Sequence, residues 1–326
     1  MKRKAGIAPY FFGVVLIAVA GVMIWGALNR QWVYDFWRGL DYEPTGEMAR
    51  IRDDLKLTER GKFLFKAARA SLSSRTEFNE KCRTALNEEV AVLGCYTNDD
   101  IYVYNIETAE LDGIRELTTA HELLHVVWAR MSEAERVELA DELKEVYRQN
   151  QEVLQEEIGN YAESERQEEL FVRAGTEVAD LPAELERVYG EIFTEQDAVV
   201  AFYDKYIAVF RAMEAEMETL EAEMKEIQSA IETMTAEYEA KVAELNVRIE
   251  SFNACAGRAG CFTSQSEFNA KRNALVAERE ALEVVRVKIG ELVNEYNERV
   301  EKYNADVTRT EELNQAINSA SEVEGL

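Results

Sequence analysis

Histidine is the scarcest reactive side chain in this protein, with two among 326 residues. Any site built on two imidazoles must therefore use both His121 and His125. Cysteine is almost as sparse: the four are Cys82, Cys95, Cys255 and Cys261. A zinc-thiolate site is the alternative to disulfides, but neither local pair has C-x-x-C spacing and no histidine is left over to complete one. Four cysteines allow three connectivities, of which the sequence-local one, Cys82 with Cys95 and Cys255 with Cys261, is the simplest. In an oxidising compartment these pairs would be disulfides. Basic side chains are also short, 37 against 63 acidic ones, for a net charge of -26. That balance argues against nucleic acid and against anionic lipid as partners.

What is present is a concentrated motif. Both histidines fall in Thr118-Thr119-Ala120-His121-Glu122-Leu123-Leu124-His125. On a helix, positions four apart share a face, so two imidazoles can close on one metal ion. Glu122 sits one step round the same helix, within reach of a water at that metal. Leu117, Leu124, Val127 and Trp128 would pack the helix into a core.

Ahead of this motif, Met1-Lys2-Arg3-Lys4 precedes a stretch from Ala5 to Leu28 without a charge. The segment 7–28 is long enough to cross a bilayer. Lys2, Arg3 and Lys4 put residues 1–6 in the cytoplasm by the positive-inside rule, and the bulk of the chain outside the cytoplasm. Trp25, Trp32, Tyr34, Phe36 and Trp37 would form an interfacial belt. The expectation is a single-pass protein of the cell membrane that contacts the lipid bilayer through its N-terminal helix.

Residues 42–206 suffice for one compact domain. Helical spacing predicts a helix over Leu57 to Leu72, and the β-branched, aromatic run Ile101 to Ile106 predicts a strand. The histidine helix runs from about Leu111 to Ala129. Ser132 and Glu135 form a capping box for the next helix, to about Asn150. Further helix is expected from Ala162 to Ala174, ending at Gly175. Another starts at Leu181-Pro182, with Asp180 as its N-cap.

A strand just ahead of an H-E-x-x-H helix resembles the zincin metallopeptidases. The resemblance covers about a hundred residues and rests mainly on the five-residue motif. It implies an α+β domain, zinc as cofactor, Glu122 as general base, a peptide or protein substrate, and an edge strand (here Ile101 to Ile106) that holds the substrate backbone. The metzincin branch needs a glycine and a third histidine where this chain has Trp128 and Met131. The third ligand is then an acid, as in gluzincins. Glu169 is the first choice by its distance downstream and helical setting, and Glu177 is the alternative, with Glu165 and Glu168 behind. The gluzincin pattern often has an aspartate four residues past its glutamate, where this chain has Arg173. The apolar face of Leu170, Phe171, Ala174 and Val178 also points away from Glu169 on a regular helix. Tyr161, Arg173 and Tyr189 are candidate donors to the carbonyl oxygen, with nothing to choose among them.

Over 207–318 the pattern becomes a heptad seam: Met213, Met217, Leu220, Met224, Ile227, Ile231, Met234 and Tyr238. After one stutter it resumes at Val242, Leu245, Ile249 and Phe252. A glycine-containing break follows, then a capping box of Ser264 with Glu267. The second seam includes Phe268, Leu275, Leu282, Ile289, Tyr296 and Tyr303. The prediction is a long antiparallel coiled-coil hairpin, open to a protein partner or to self-association. Residues 319–326 read as a disordered tail.

The fold class expected is mainly α: a transmembrane helix, an α+β zincin-like domain and the hairpin. The function expected is a zinc metallopeptidase. The alternative is a non-enzymatic envelope scaffold working through its coiled coil.

Overall fold

The computed structural model describes residues 8–83, 92–151, 153–154, 158 and 165–318. The expected N-terminal segment 1–6 and the tail 319–326 lie outside them. The protein is mainly helical, as its sequence suggests, and divides into two compact units. One comprises Met1–Val209 with Leu313–Leu326, and the other Phe210–Glu312.

The first unit opens with α1 (Ala8–Leu28) and α2 (Arg30–Gly39). Among the described residues no helix is long and apolar enough to cross a membrane. The single-pass anchor over 7–28 is therefore corrected, and with it the cell-membrane placement and the bilayer contact. The five residues expected as an interfacial belt are exposed, and the segment that carries them also contacts the rest of this unit. Trp32 stacks on Phe63 at 5.9 Å, and Arg38 donates to the carbonyls of Ala67 at 3.0 Å and Asp99 at 2.8 Å. Asp35, 2% exposed, receives Arg130 at 2.8 Å. Such pairing offsets the cost of burying a carboxylate.

The helix expected over 57–72 is shorter: α3 (Gly46–Asp54) is followed by α4 (Glu59–Ala67), capped by Thr58. Arg69 takes a left-handed φ of 45°, which ends the helix and turns Leu72 into strand β1 (Ser71–Ser73). After α5 (Arg75–Lys81) come β2 (Gly94–Thr97) and β3 (Asp100–Tyr104). The sheet order is β1-β3-β2, with β3 parallel to β1 and antiparallel to β2. The expected strand exists, but it is central rather than at an edge. Thr97 pairs with Asp100 across a two-residue turn. Asn98 and Asp99 both take positive φ there, 52° and 63°, as a type I′ hairpin requires. The Cys82–Cys95 disulfide ties α5 to β2.

The histidine helix is α6 (Ile114–Arg130), entered through Gly113 at φ 99°. Then come α7 (Glu133–Gln149), with the expected Ser132 capping box, and α8 (Arg166–Glu177). The start of the helix expected at Ala162 lies outside the described residues, and α8 runs through Gly175 rather than stopping there. The next helix, α9 (Ala183–Gly190), has Pro182 rather than Asp180 at its N-cap. The core is built from α6 and the elements around it, with Leu123, Leu124, Phe65, Phe171 and Tyr189 fully buried.

The second unit is carried by α10 (Gln196–Ala256) and α11 (Gln265–Ile317). Arg248 meets Glu278 at 2.6 Å, Arg299 meets Glu223 at 2.7 Å and Tyr303 meets Glu221 at 2.9 Å. Partners descend on one helix as they climb on the other, so the two run antiparallel. Leu220, Leu245 and Leu282 of the seam are buried. Cys255 and Cys261 form the second disulfide at the turn, where Phe252, Phe262 and Phe268 cluster at 5.2–5.4 Å.

Candidate metal centre

The site forms where α6 crosses α8. One turn apart on α6, His121 and His125 bring their Nε2 atoms to 3.3 Å. Glu169, from the first turn of α8, reaches between them. Its Oε1 lies 3.3 Å from His125 Nε2 and its Oε2 lies 3.8 Å from His121 Nε2. Zinc ligands at about 2.0–2.1 Å in a tetrahedron stand about 3.3–3.4 Å from one another. With one ligand atom from each side chain, all within 4.8 Å of one another, the three could hold a metal ion. Glu169 Oε2 is also buried without a hydrogen-bond partner, an expensive arrangement unless a cation completes it. Two imidazole nitrogens and one carboxylate suit zinc chemically.

The electrostatics agree with a cation hole. Burial works against charging His125, yet hydrogen bonds to Glu168 and Glu169 raise its pKa to about 10. His121, dominated by burial, falls to about 3 and stays neutral. Burial opposes ionisation of Glu169, but its bond with His125 and the nearby His121 lower it to about 2. These acids favour one positive charge between them, here on His125.

Glu122 is 5% exposed and packs against β2. A Cβ on Gly94 would stand 2.5 Å from Glu122 Oε1, so only glycine leaves room for this carboxylate. The Tyr96 backbone N–H donates to it, and burial lifts its pKa to about 7. That value suits a group that takes and returns a proton near neutrality.

Of the other acids considered, Glu177 pairs with Arg173 at 2.8 Å and is not in the metal-ligating group. Glu165 is exposed, and Glu168 bonds His125 Nδ1 at 2.8 Å. The amphipathic objection to Glu169 fails because α8 is covered on two sides, by α6 and by α7. Among the candidate donors, Tyr189 is fully buried and gives its hydroxyl to Phe171 O at 2.6 Å. Tyr161 lies outside the described residues. Arg173 acts electrostatically on both His121 and Glu169. The sequence reasoning missed β2 and its Gly94. The Asn98-Asp99 pair was the available signal, since adjacent residues tolerant of positive φ between β-prone runs mark a hairpin.

Comparison with protein-family models, with curated proteins and with solved structures finds no match to this chain.

Proposed function

We propose that this protein is a zinc-dependent peptidase of the zincin type, with His121 Nε2, His125 Nε2 and the Glu169 carboxylate as ligands and Glu122 as general base. The observation that carries the reading is the convergence of three metal-spaced ligand atoms beside a buried, proton-ready carboxylate on the same helix. A bound zinc ion would supply Lewis acidity, polarising the scissile carbonyl and lowering the pKa of water to about 7. Glu122 takes the proton of the attacking water on its carboxylate and returns it to the departing amine nitrogen. The backbone of β2 orients the substrate. Tyr104 N donates to Leu93 O, and ladder alternation then turns the N–H and C=O of Gly94 and Tyr96 away from β3; the Tyr96 N–H is taken by Glu122, which leaves the two Gly94 groups and the Tyr96 C=O for a substrate. Among the described residues no strand covers that side, so an extended peptide can pair there in place of the expected central strand. The coiled-coil hairpin serves as a protein-interaction arm.

The test is the zinc content of the purified full chain beside His121→Ala, Glu169→Ala and Glu177→Ala, followed by hydrolysis of a fluorogenic peptide pool. Near-stoichiometric zinc, lost with His121 or Glu169 and kept with Glu177→Ala, is expected. Glu122→Gln should keep the zinc and lose hydrolysis. A folded chain that takes up no divalent metal rules the reading out.

A further inference from the structure

His125 is the one ring in the site gripped at both nitrogens by carboxylates. Its Nε2 faces His121 and Glu169, while its Nδ1 lies 2.8 Å from Glu168 Oε1. Glu168 and Glu169 are neighbours on α8, so their side chains diverge by about 100° round the helix and take the ring from two directions. The position one turn past Glu169 is Arg173, whose Nη1 donates to Glu177 Oε1 at 2.8 Å. No acid from there competes for the ring. Glu168 itself is about a third exposed, with 35% of its side chain accessible, so burial does not explain its place.

We infer that Glu168 is a positioning residue of the metal centre: it accepts the Nδ1–H of His125 and so fixes the tautomer that leaves Nε2 bare for a cation. A neutral imidazole has one N–H, and an acceptor on one nitrogen decides where it sits. The negative charge beyond that N–H also makes the ring a stronger donor to a metal, the usual role of a carboxylate behind a ligating histidine. This role deepens the zinc reading and rests on it. It also gives Glu168 and Glu169 different tasks, although they are adjacent and chemically identical.

The test uses the full chain, labelled with ¹⁵N in its two histidines, and zinc affinity measured by competition with a chromophoric chelator. Glu168→Ala should weaken zinc binding about 10–100-fold. Glu168→Gln, which keeps an acceptor but loses the charge, should fall between the two. In the zinc-bound unsubstituted protein, His125 should show a protonated Nδ1 shielded from exchange, and Glu168→Ala should lose that signature. Zinc affinity and ring signals that stay unchanged in either folded variant overturn the role while leaving the metal site standing. No zinc uptake by the unsubstituted chain overturns both.

Discussion

Gly94→Ala is the sharpest probe of the contact between β2 and Glu122. The added Cβ would stand 2.5 Å from Glu122 Oε1, 2.7 Å from Glu122 Cγ and 2.7 Å from Thr118 Cγ2. Ordinary contacts begin at 3.4 Å, so something must yield by nearly 1 Å. Thr118 is buried on α6 and its hydroxyl bonds Ile114 O at 2.7 Å, which leaves the Glu122 carboxylate as the softer neighbour. A base displaced by about 1 Å costs on the order of 10²-fold in turnover, equivalent to about 2.7 kcal/mol of barrier. If the strand moves instead, overpacking costs about 1–3 kcal/mol of stability. None of the three crowded atoms belongs to a metal ligand, so zinc content should hold. The assay compares turnover of a peptide substrate, zinc content and the denaturant midpoint in Gly94→Ala and Gly190→Ala, the latter having nothing within 4 Å of its added Cβ. Gly190→Ala should match the unsubstituted protein. Full turnover together with full stability in Gly94→Ala would refute the packing of Glu122 on β2.

Three further outcomes follow from the same structure. With His125 near 10, Glu122 near 7 and His121 near 3, the metal-free site at pH 8.5 carries a protonated His125 and an ionised Glu122. Because the metal takes neutral imidazole and lowers the pKa of its bound water to about 7, zinc binding there should release about two protons, one from His125 and one from the water, read by calorimetry in buffers of different ionisation enthalpy. Release of one or fewer contradicts the charge assignment. Arg130→Ala strands the buried Asp35 and should cost about 3–5 kcal/mol, whereas Asp35→Leu with Arg130→Met should be far milder; chemical denaturation that finds the two alike removes the ion-pair argument. Breaking Cys82–Cys95, which closes a loop of 13 residues in sequence separation, should cost about 3 kcal/mol. Thermal melts of Cys82→Ser with Cys95→Ser should show it as a lower Tm, and an unchanged Tm would mean that the bond does not restrain the unfolded chain.

Features set by short-range spacing were legible in the sequence. Two histidines four apart share a helix face whatever surrounds them, and Ser132 with Glu135 cap a helix using three residues of chain. The heptad steps from Met213 onward specify a seam because each turn repeats the same geometry, and the two cysteine pairs close with their nearest partners. Other features depended on packing between distant segments. Glu169 became the third metal-spaced residue because α7 and α8 flank one another while α8 also faces α6, a two-sided burial that one-faced amphipathicity misjudges. The strand beside Glu122 proved to be β2, since order within a sheet is a matter of pairing rather than composition. Hydropathy alone suggested an anchor and an aromatic belt. The tertiary structure instead stacks Trp32 on Phe63 and buries Asp35 against Arg130, because a charge or ring finds its partner through the fold and not along the chain.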